Sequence, residues 1–109
     1  MARTEDAPTI SRTDRREDVL CALADPTCRA VLGAISDRAM TATEVAEATD
    51  VPLSTVYRKL DWLVDTPLVA ATHRLKRGGR PPREHRVDFD QIRVRMTDRT
   101  DGTLDVSVS

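Results

Sequence analysis

The chain has 109 residues, of which 39% are hydrophobic, 32% charged and 3% aromatic, and its net charge is −1. A chain of this length forms a single small domain. It has no apolar run of about 18 residues and no signal-peptide pattern, which argues against a membrane span and against secretion. We therefore expect a soluble, cytoplasmic protein.

The N-terminal third predicts a tail followed by two helices. Residues 1–11 are polar and without periodicity, so we expect a disordered tail there. Helical spacing starts at Arg12. The apolar stripe of this first helix consists of Val19, Leu20, Leu23 and Ala24. Asp25 can cap a second helix, and Pro26 suits its first position because no backbone donor is lost there.

Two more helices, separated by a tight turn, are predicted next. Thr43 is the expected cap of the third helix, with Val45 and Ala48 facing inward. Pro52 opens the fourth helix. One side of that helix is apolar on a helical wheel and consists of Leu53, Val56, Leu60, Leu63 and Val64. Two helices around a tight turn are typical of a helix-turn-helix.

Two pairs of strands are predicted after the fourth helix. Residues 68–75 and 84–87 have the pattern of two strands joined by a Gly-Gly-Arg-Pro-Pro tip, in which glycine permits unusual backbone angles and proline stiffens the returning arm. Apolar and polar residues alternate in 92–96 and again in 104–108, which predicts a second hairpin with one apolar face.

These elements predict an α+β fold. We expect a winged helix-turn-helix domain at residues 12–88, with four helices and a β-hairpin wing, followed by a C-terminal β-hairpin at 89–109. A lone two-stranded sheet is marginal in water. The apolar face of the terminal hairpin therefore covers either its own domain or a second copy of the chain, and the hairpin is a candidate dimerisation element.

Positive charge is concentrated between residues 54 and 86. This segment has eight basic and three acidic residues, a net charge of +5, whereas the rest of the chain carries −6. Such a block indicates an anionic partner with a defined docking face, although a solvated surface is the alternative. Asp outnumbers Glu 13 to 5 and Arg outnumbers Lys 15 to 2, a bias that resembles the cytosolic proteins of salt-loving archaea.

The helical motifs resemble those of one family of regulators. Residues 22–32, reading Ala-Leu-Ala-Asp-Pro-Thr-Cys-Arg-Ala-Val-Leu, resemble the opening helices of ArsR-type winged-helix repressors, and 43–48 and 54–63 are similar to that family's helix-turn-helix. The resemblance implies a dimeric transcriptional regulator whose fourth helix enters the major groove and whose wing touches an adjacent groove or the backbone. Residues 41–64 contain no Cys or His, and the chain ends in a predicted hairpin instead of a helix. Metal sensing and dimerisation in the manner usual for the family are therefore not expected, and we expect the first helix and the terminal hairpin to supply the dimer contact instead.

The fourth helix and the wing supply the candidate DNA contacts. On the helix, Ser54, Thr55 and Arg58 are expected at base edges or phosphates, because arginine grasps guanine O6 and N7 with two donors and hydroxyls serve either target. Tyr57 and Lys59 flank that face and are expected on the DNA backbone. The expected phosphate or minor-groove contacts of the wing are Arg77, Arg80 and Arg83.

The cysteines and histidines permit several interpretations. Cys28 lies in the first turn of the second helix, where the helix dipole favours a reactive thiolate, and Cys21 flanks the apolar stripe of the first helix. The pair serves packing, redox sensing or an unusual soft-metal site. His73 and His85, on the two predicted wing strands, can face each other, but without a companion carboxylate or thiol we expect no metal site.

Two functions from different classes fit these features. The first is a sequence-specific regulator that binds double-stranded DNA as a dimer. The second is a winged-helix interaction module that binds RNA or an acidic protein. The sequence has no set of nucleophile, base and acid and no glycine loop that opens a helix, so we expect neither an enzyme nor a cofactor.

Overall fold

Four helices and six short strands make up the described part of the fold. The computed structural model describes residues 9–10, 13–74, 78–79 and 81–109. The helices are α1 (Thr13–Ala24), α2 (Pro26–Ala34), α3 (Ala42–Thr49) and α4 (Leu53–Val64). The strands are β1 (Thr9–Ile10), β2 (Met40–Thr41), β3 (Val69–His73), β4 (Arg83–Val87), β5 (Ile92–Asp98) and β6 (Thr103–Val108). The predicted α+β architecture, with a wing and a C-terminal hairpin, is confirmed. No helix in the described ranges is long and apolar enough to span a membrane.

The strands form two antiparallel three-stranded sheets. In the wing sheet, β4 lies between β2 and β3, with Ala71 opposite His85 and Thr41 opposite Glu84. In the terminal sheet, β6 lies between β1 and β5, with Val94 opposite Val106. The short strand before α3 thus attaches the helix-turn-helix to the wing.

One hydrophobic core holds the helices and both sheets together. Its largest fully buried side chains come from all four helices, from the chain between α4 and β3, and from β6. They include Val19, Val31, Val45, Leu60, Leu63, Leu68 and Val106. Full burial of each such side chain contributes roughly 1.5–3 kcal/mol. The terminal hairpin therefore belongs to the domain core through one of its two long strands.

The N-terminal tail is not wholly without structure. Thr9 and Ile10 form β1, which pairs with Ser107 and Val106 of β6. The expectation of a disordered tail over residues 1–11 is therefore wrong at these two positions, and residues 1–8 and 11 lie outside the described part of the chain. The terminal hairpin became a three-stranded sheet because a segment about a hundred residues away in sequence completes its open edge, as an isolated hairpin requires.

The cap of α3 is Thr41 and not Thr43 as the sequence suggested. The Thr41 hydroxyl accepts a hydrogen bond from the Glu44 backbone N–H at 3.2 Å, and the Glu44 carboxylate accepts one from the Thr41 N–H at 3.0 Å. Thr43 is exposed within the first turn. The reciprocal pair requires a glutamate three residues after the cap, and only Thr41 has one.

Three residues that the sequence placed on inward faces are exposed in the structure. In α1 the alanine that enters the core is Ala22, whereas Ala24 is exposed. In α3 Val45 is buried as expected, but Ala48 is exposed. Leu53 at the start of α4 is 40% exposed because the buried face of that helix is centred on Val56, Leu60 and Leu63. Whether a small or terminal residue at the edge of an apolar stripe is buried thus depends on how the helices cross, and not on the helical period alone.

Candidate nucleic-acid interface

The turn between α3 and α4 directs α4 across the surface of the domain. Asp50 ends α3 with a left-handed backbone at φ 61°, a conformation that aspartate tolerates better than most residues. The Thr49 hydroxyl accepts a hydrogen bond from the Val51 N–H at 3.3 Å and donates one to the Val45 carbonyl at 2.7 Å. These bonds brace the turn of the helix-turn-helix.

The outer face of α4 is polar and open. Ser54 and Arg58 are exposed, Tyr57 is 52% exposed and Thr55 is half-buried. Within the described ranges, no hydrogen bond or ion pair holds the Arg58 guanidinium. The structure therefore presents four of the five candidate residues of this helix on its outer side, with Arg58 unpaired among the described residues.

Lys59 is not available in the way that the sequence suggested. Its ammonium Nζ lies 2.6 Å from Asp25 Oδ2 and 5.6 Å from the centre of the Trp62 ring, and the side chain is only 20% exposed. The hydrogen bond from Lys59 is the main reason that the pKa of Asp25 is below its ordinary value. Lys59 thus joins α4 to the cap of α2, and its expected contact with the DNA backbone is replaced by this intramolecular pair.

The wing is described in part. Arg77 and Arg80, two of its three expected contacts, lie outside the described residues, and the third, Arg83, is exposed on β4. Gly78 and Gly79 at the tip both have φ of +71°, a backbone region that favours glycine. The two glycines therefore adopt the backbone angles for which the sequence suggested them.

Arg74 at the base of the wing is fully committed to carboxylates. Its two terminal nitrogens lie 2.9 and 3.1 Å from the two oxygens of Glu44, and its Nε lies 2.7 Å from Glu84. The hydrogen bond from Arg74 is the main cause that lowers the pKa of Glu44 to about 2, with the bond from Thr41 second. One guanidinium thus connects the cap of α3 to both strands of the wing.

Pairing leaves two unpaired cations in the described part of the basic segment. Arg86 lies 3.0 Å from Asp88, while Lys59 and Arg74 have the carboxylate partners given above. Arg58 on α4 and Arg83 on the wing have no such partner among the described residues. The charge that remains for an anionic ligand is therefore concentrated between the outer face of α4 and the wing.

The two histidines do not face each other. His73 is exposed and is paired in register with Arg83, whereas His85 is 4% exposed and paired with Ala71. Burial is the main cause that lowers the pKa of His85, with Arg83 adding to it. Among the described residues, the Nδ1 atom of this buried ring has no hydrogen-bond partner. No cluster of three or more His, Cys, Asp or Glu residues suited to a metal occurs in the ranges that the structure describes.

The cysteines occupy different environments. Cys21 is exposed and Cys28 is completely buried, with its Sγ 3.5 Å from Asp25 Oδ2. Burial, followed by the neighbouring carboxylate, raises the pKa of Cys28 to about 11. Burial and the Asp25 carboxylate therefore act against the thiolate that the sequence suggested for Cys28, and a redox role of this residue stays a prediction. Cys28 packs as a small hydrophobic residue.

Sequence reasoning missed two features of this surface. The first is the exposure of Leu53 beside Ser54, for which the wheel gave the opposite expectation. The second is the network around Arg74, which joins residues 30 positions apart. Its signal was the presence of Glu84 inside the basic segment and of Glu44 just before it, but the sequence does not say which arginine they bind.

The fold and this open helix define a winged helix-turn-helix protein, and comparisons with known proteins agree. A family model described as a helix-turn-helix domain matches residues 23–70. A solved crystal structure of an ArsR family transcriptional regulator is 30% identical, with 67% of this chain and 75% of that chain covered and a TM-score of 0.53. A comparison with curated proteins found no match. The chain belongs to the ArsR family of DNA-binding transcriptional regulators, which confirms the resemblance seen in the sequence.

Proposed function

We propose that the protein reads a specific sequence in double-stranded DNA, with α4 in the major groove and the wing on the backbone or in the minor groove. The observation that carries this proposal is the open face of α4, where Ser54 and Arg58 are exposed opposite the buried Val56, Leu60 and Leu63. A helix of this kind fits the major groove, and arginine donates two hydrogen bonds to guanine. Arg83, with Arg77 and Arg80 as expectations from the sequence, supplies the wing contacts.

The alternative of RNA or an acidic protein has less support. Recognition of single-stranded RNA depends on aromatic side chains that stack on the bases. The chain has one Trp, one Tyr and one Phe, and of these Tyr57 alone is classed as exposed. An acidic protein remains a competitor in the test, together with single-stranded RNA.

The test compares duplex affinity across salt concentrations for three arginine variants. We expect Arg58→Ala and Arg83→Ala each to weaken binding and to reduce the salt slope by about one unit for a lost phosphate contact, or to relax base preference for a lost base contact. Arg86→Ala is the matched control, because Arg86 is already paired with Asp88, and its slope stays unchanged. Equal behaviour of all three variants, or displacement of the duplex by single-stranded RNA at equal concentration, would refute the proposal.

The terminal sheet is the proposed dimer contact. Val94 and Met96 of β5 are 48% and 55% exposed, and β5 is an edge strand of its sheet. Exposed edges of this kind pair with other chains unless they are covered. A second copy across β5 would hide both side chains and place two α4 helices on one duplex, as dimeric helix-turn-helix proteins require.

We propose Cys21 as the thiol through which oxidants act on the protein. Cys21 is exposed on α1, while the Cys28 thiol is buried with a raised pKa. An intermolecular disulfide through Cys21 would change the arrangement of the two copies. Non-reducing electrophoresis after mild oxidant, with Cys21→Ser as the comparison, tests this part of the proposal, and an oxidant-insensitive wild type eliminates it.

A further inference from the structure

A pair of apolar side chains lies uncovered on the helix that reads DNA in the proposed function. Leu53 and Tyr57 are 40% and 52% exposed, and they are one helical turn apart on α4. Residues four apart are neighbours on a helix surface. Their side chains therefore form a continuous apolar strip beside Ser54 and Arg58.

This strip is not needed to close the core. The inward face of α4 is already supplied by Val56, Leu60 and Leu63, each no more than 1% exposed. The leucine at the first position of the helix is 40% exposed to solvent. An uncovered apolar pair at the border between the buried and the polar face of α4 points to an apolar feature in the ligand.

The major groove offers one such feature in ordinary DNA. Each base pair presents hydrogen-bond donors and acceptors there, and thymine alone adds an apolar group, the C5 methyl. Because the inference rests on the proposed function, the ligand is a base pair in the groove that α4 occupies. We infer that Leu53, flanked by the Tyr57 ring, contacts a thymine methyl and makes the protein selective for a T·A pair at that position.

A negative charge next to the strip disfavours a phosphate as its ligand and favours a base. Asp61 is exposed one turn beyond Tyr57 on the same side of α4 and, with Tyr57, lines a cavity that reaches Arg83 on the wing. A carboxylate against the sugar-phosphate chain is repelled by it. Asp61 therefore disfavours a phosphate contact for the side of α4 that carries Leu53 and Tyr57.

The test removes one methyl group from the DNA and leaves every hydrogen-bonding group in place. Preferred duplexes are first selected from a random pool with the full chain, and each thymine of the selected site is then replaced singly by deoxyuridine. We expect one position at which this replacement weakens binding about fourfold, the value for burial of one methyl group. Leu53→Ala should bind the thymine and deoxyuridine duplexes equally, while Leu53→Met, which keeps an apolar side chain, should retain most of the difference.

The possible failures are distinguishable. Selection of no preferred duplex would overturn the proposed function and this inference with it. Selection of a site that is insensitive to deoxyuridine at every thymine, or discrimination that persists unchanged in Leu53→Ala, would overturn the thymine contact and leave DNA reading intact. Circular dichroism and thermal unfolding of both variants verify that they are folded, which the partial exposure of Leu53 favours.

Discussion

Arg58 and Lys59 are adjacent in the sequence, yet their side chains have different tasks. A step of one residue turns a helix by about 100°, so Arg58 lies on the outer face of α4 and Lys59 reaches the Asp25 carboxylate at 2.6 Å. A count of basic residues treats the two as equal. Only the position of each on the folded helix separates a cation that is open to DNA from one that holds two helices together.

Cys28 provides a prediction about chemical reactivity. With its pKa raised to about 11, the folded protein keeps this thiol protonated at neutral pH, and the thiolate is the reacting species. Treatment with iodoacetamide near neutral pH should therefore modify Cys21 and leave Cys28 unmodified until the chain is unfolded, as mass spectrometry of digests will report. The Cys21→Ser variant is the control and should take up no label when native. Rapid labelling of Cys28 in that variant would contradict the burial described here.

Glu44 provides a prediction about pH. Its carboxylate has a pKa of about 2 in the folded protein against an ordinary 4.5, chiefly because of Arg74. A lowered carboxylate pKa adds stability that is fully present above the ordinary value and is lost as the pH falls through the folded value. Glu44→Gln should therefore lower the melting temperature at neutral pH and flatten its dependence on pH between about 5 and about 2. Glu47→Gln, an exposed change on the same helix, should leave both unchanged, and equal pH profiles for the two variants would refute the role of Glu44.

At the scale of elements, α3 shows how a helix start connects to the wing. Thr41 is at once the last residue of β2 and the cap of α3, and its partner Glu44 also binds Arg74 at the wing base. The helix start and the wing therefore share one set of hydrogen bonds. A change in the cap therefore affects both α3 and the wing.

Two threonines two residues apart test this assignment. Thr41→Ala should reduce the free energy of unfolding by about 1 kcal/mol, the usual effect of losing a cap, because the Glu44 N–H loses its acceptor. Thr43→Ala should change it by less than about 0.5 kcal/mol, as is usual for an exposed site. Urea unfolding of both variants measures the difference. A larger loss at Thr43 would restore the cap that the sequence suggested.

At the scale of the whole molecule, the terminal sheet is attached to the domain on one side and open on the other. Val106 and Val108 of β6 are buried, while Val94 and Met96 of β5 remain about half exposed. Because two strands of one hairpin differ so much in exposure, the open strand is where a second copy gains most by binding. The proposed dimer follows from this asymmetry.

The proposed dimer is tested by a single charge on the open strand. Met96→Asp should shift the protein from dimer to monomer in analytical ultracentrifugation and weaken DNA binding at least tenfold, because two linked half-sites become independent. Arg93→Asp, on the opposite face of β5 and outside the irregularity between Met96 and Asp98, is the matched control and should remain dimeric. A wild-type protein that is monomeric at micromolar concentration would refute this contact.

The sequence by itself determined the helices, the turn that ends at Pro52, the glycines of the wing tip and the family. Periodicity, caps and turn residues act between neighbours in the chain, so a local pattern suffices for them. It also indicated the outer face of α4, since Arg58 and Ser54 lie opposite a continuous apolar stripe. Only the tertiary structure decided which cations remain open. Pairs such as Arg74 with Glu44 and Lys59 with Asp25 join residues 30 and 34 positions apart, and such contacts depend on how helices and sheets cross, which no local pattern encodes.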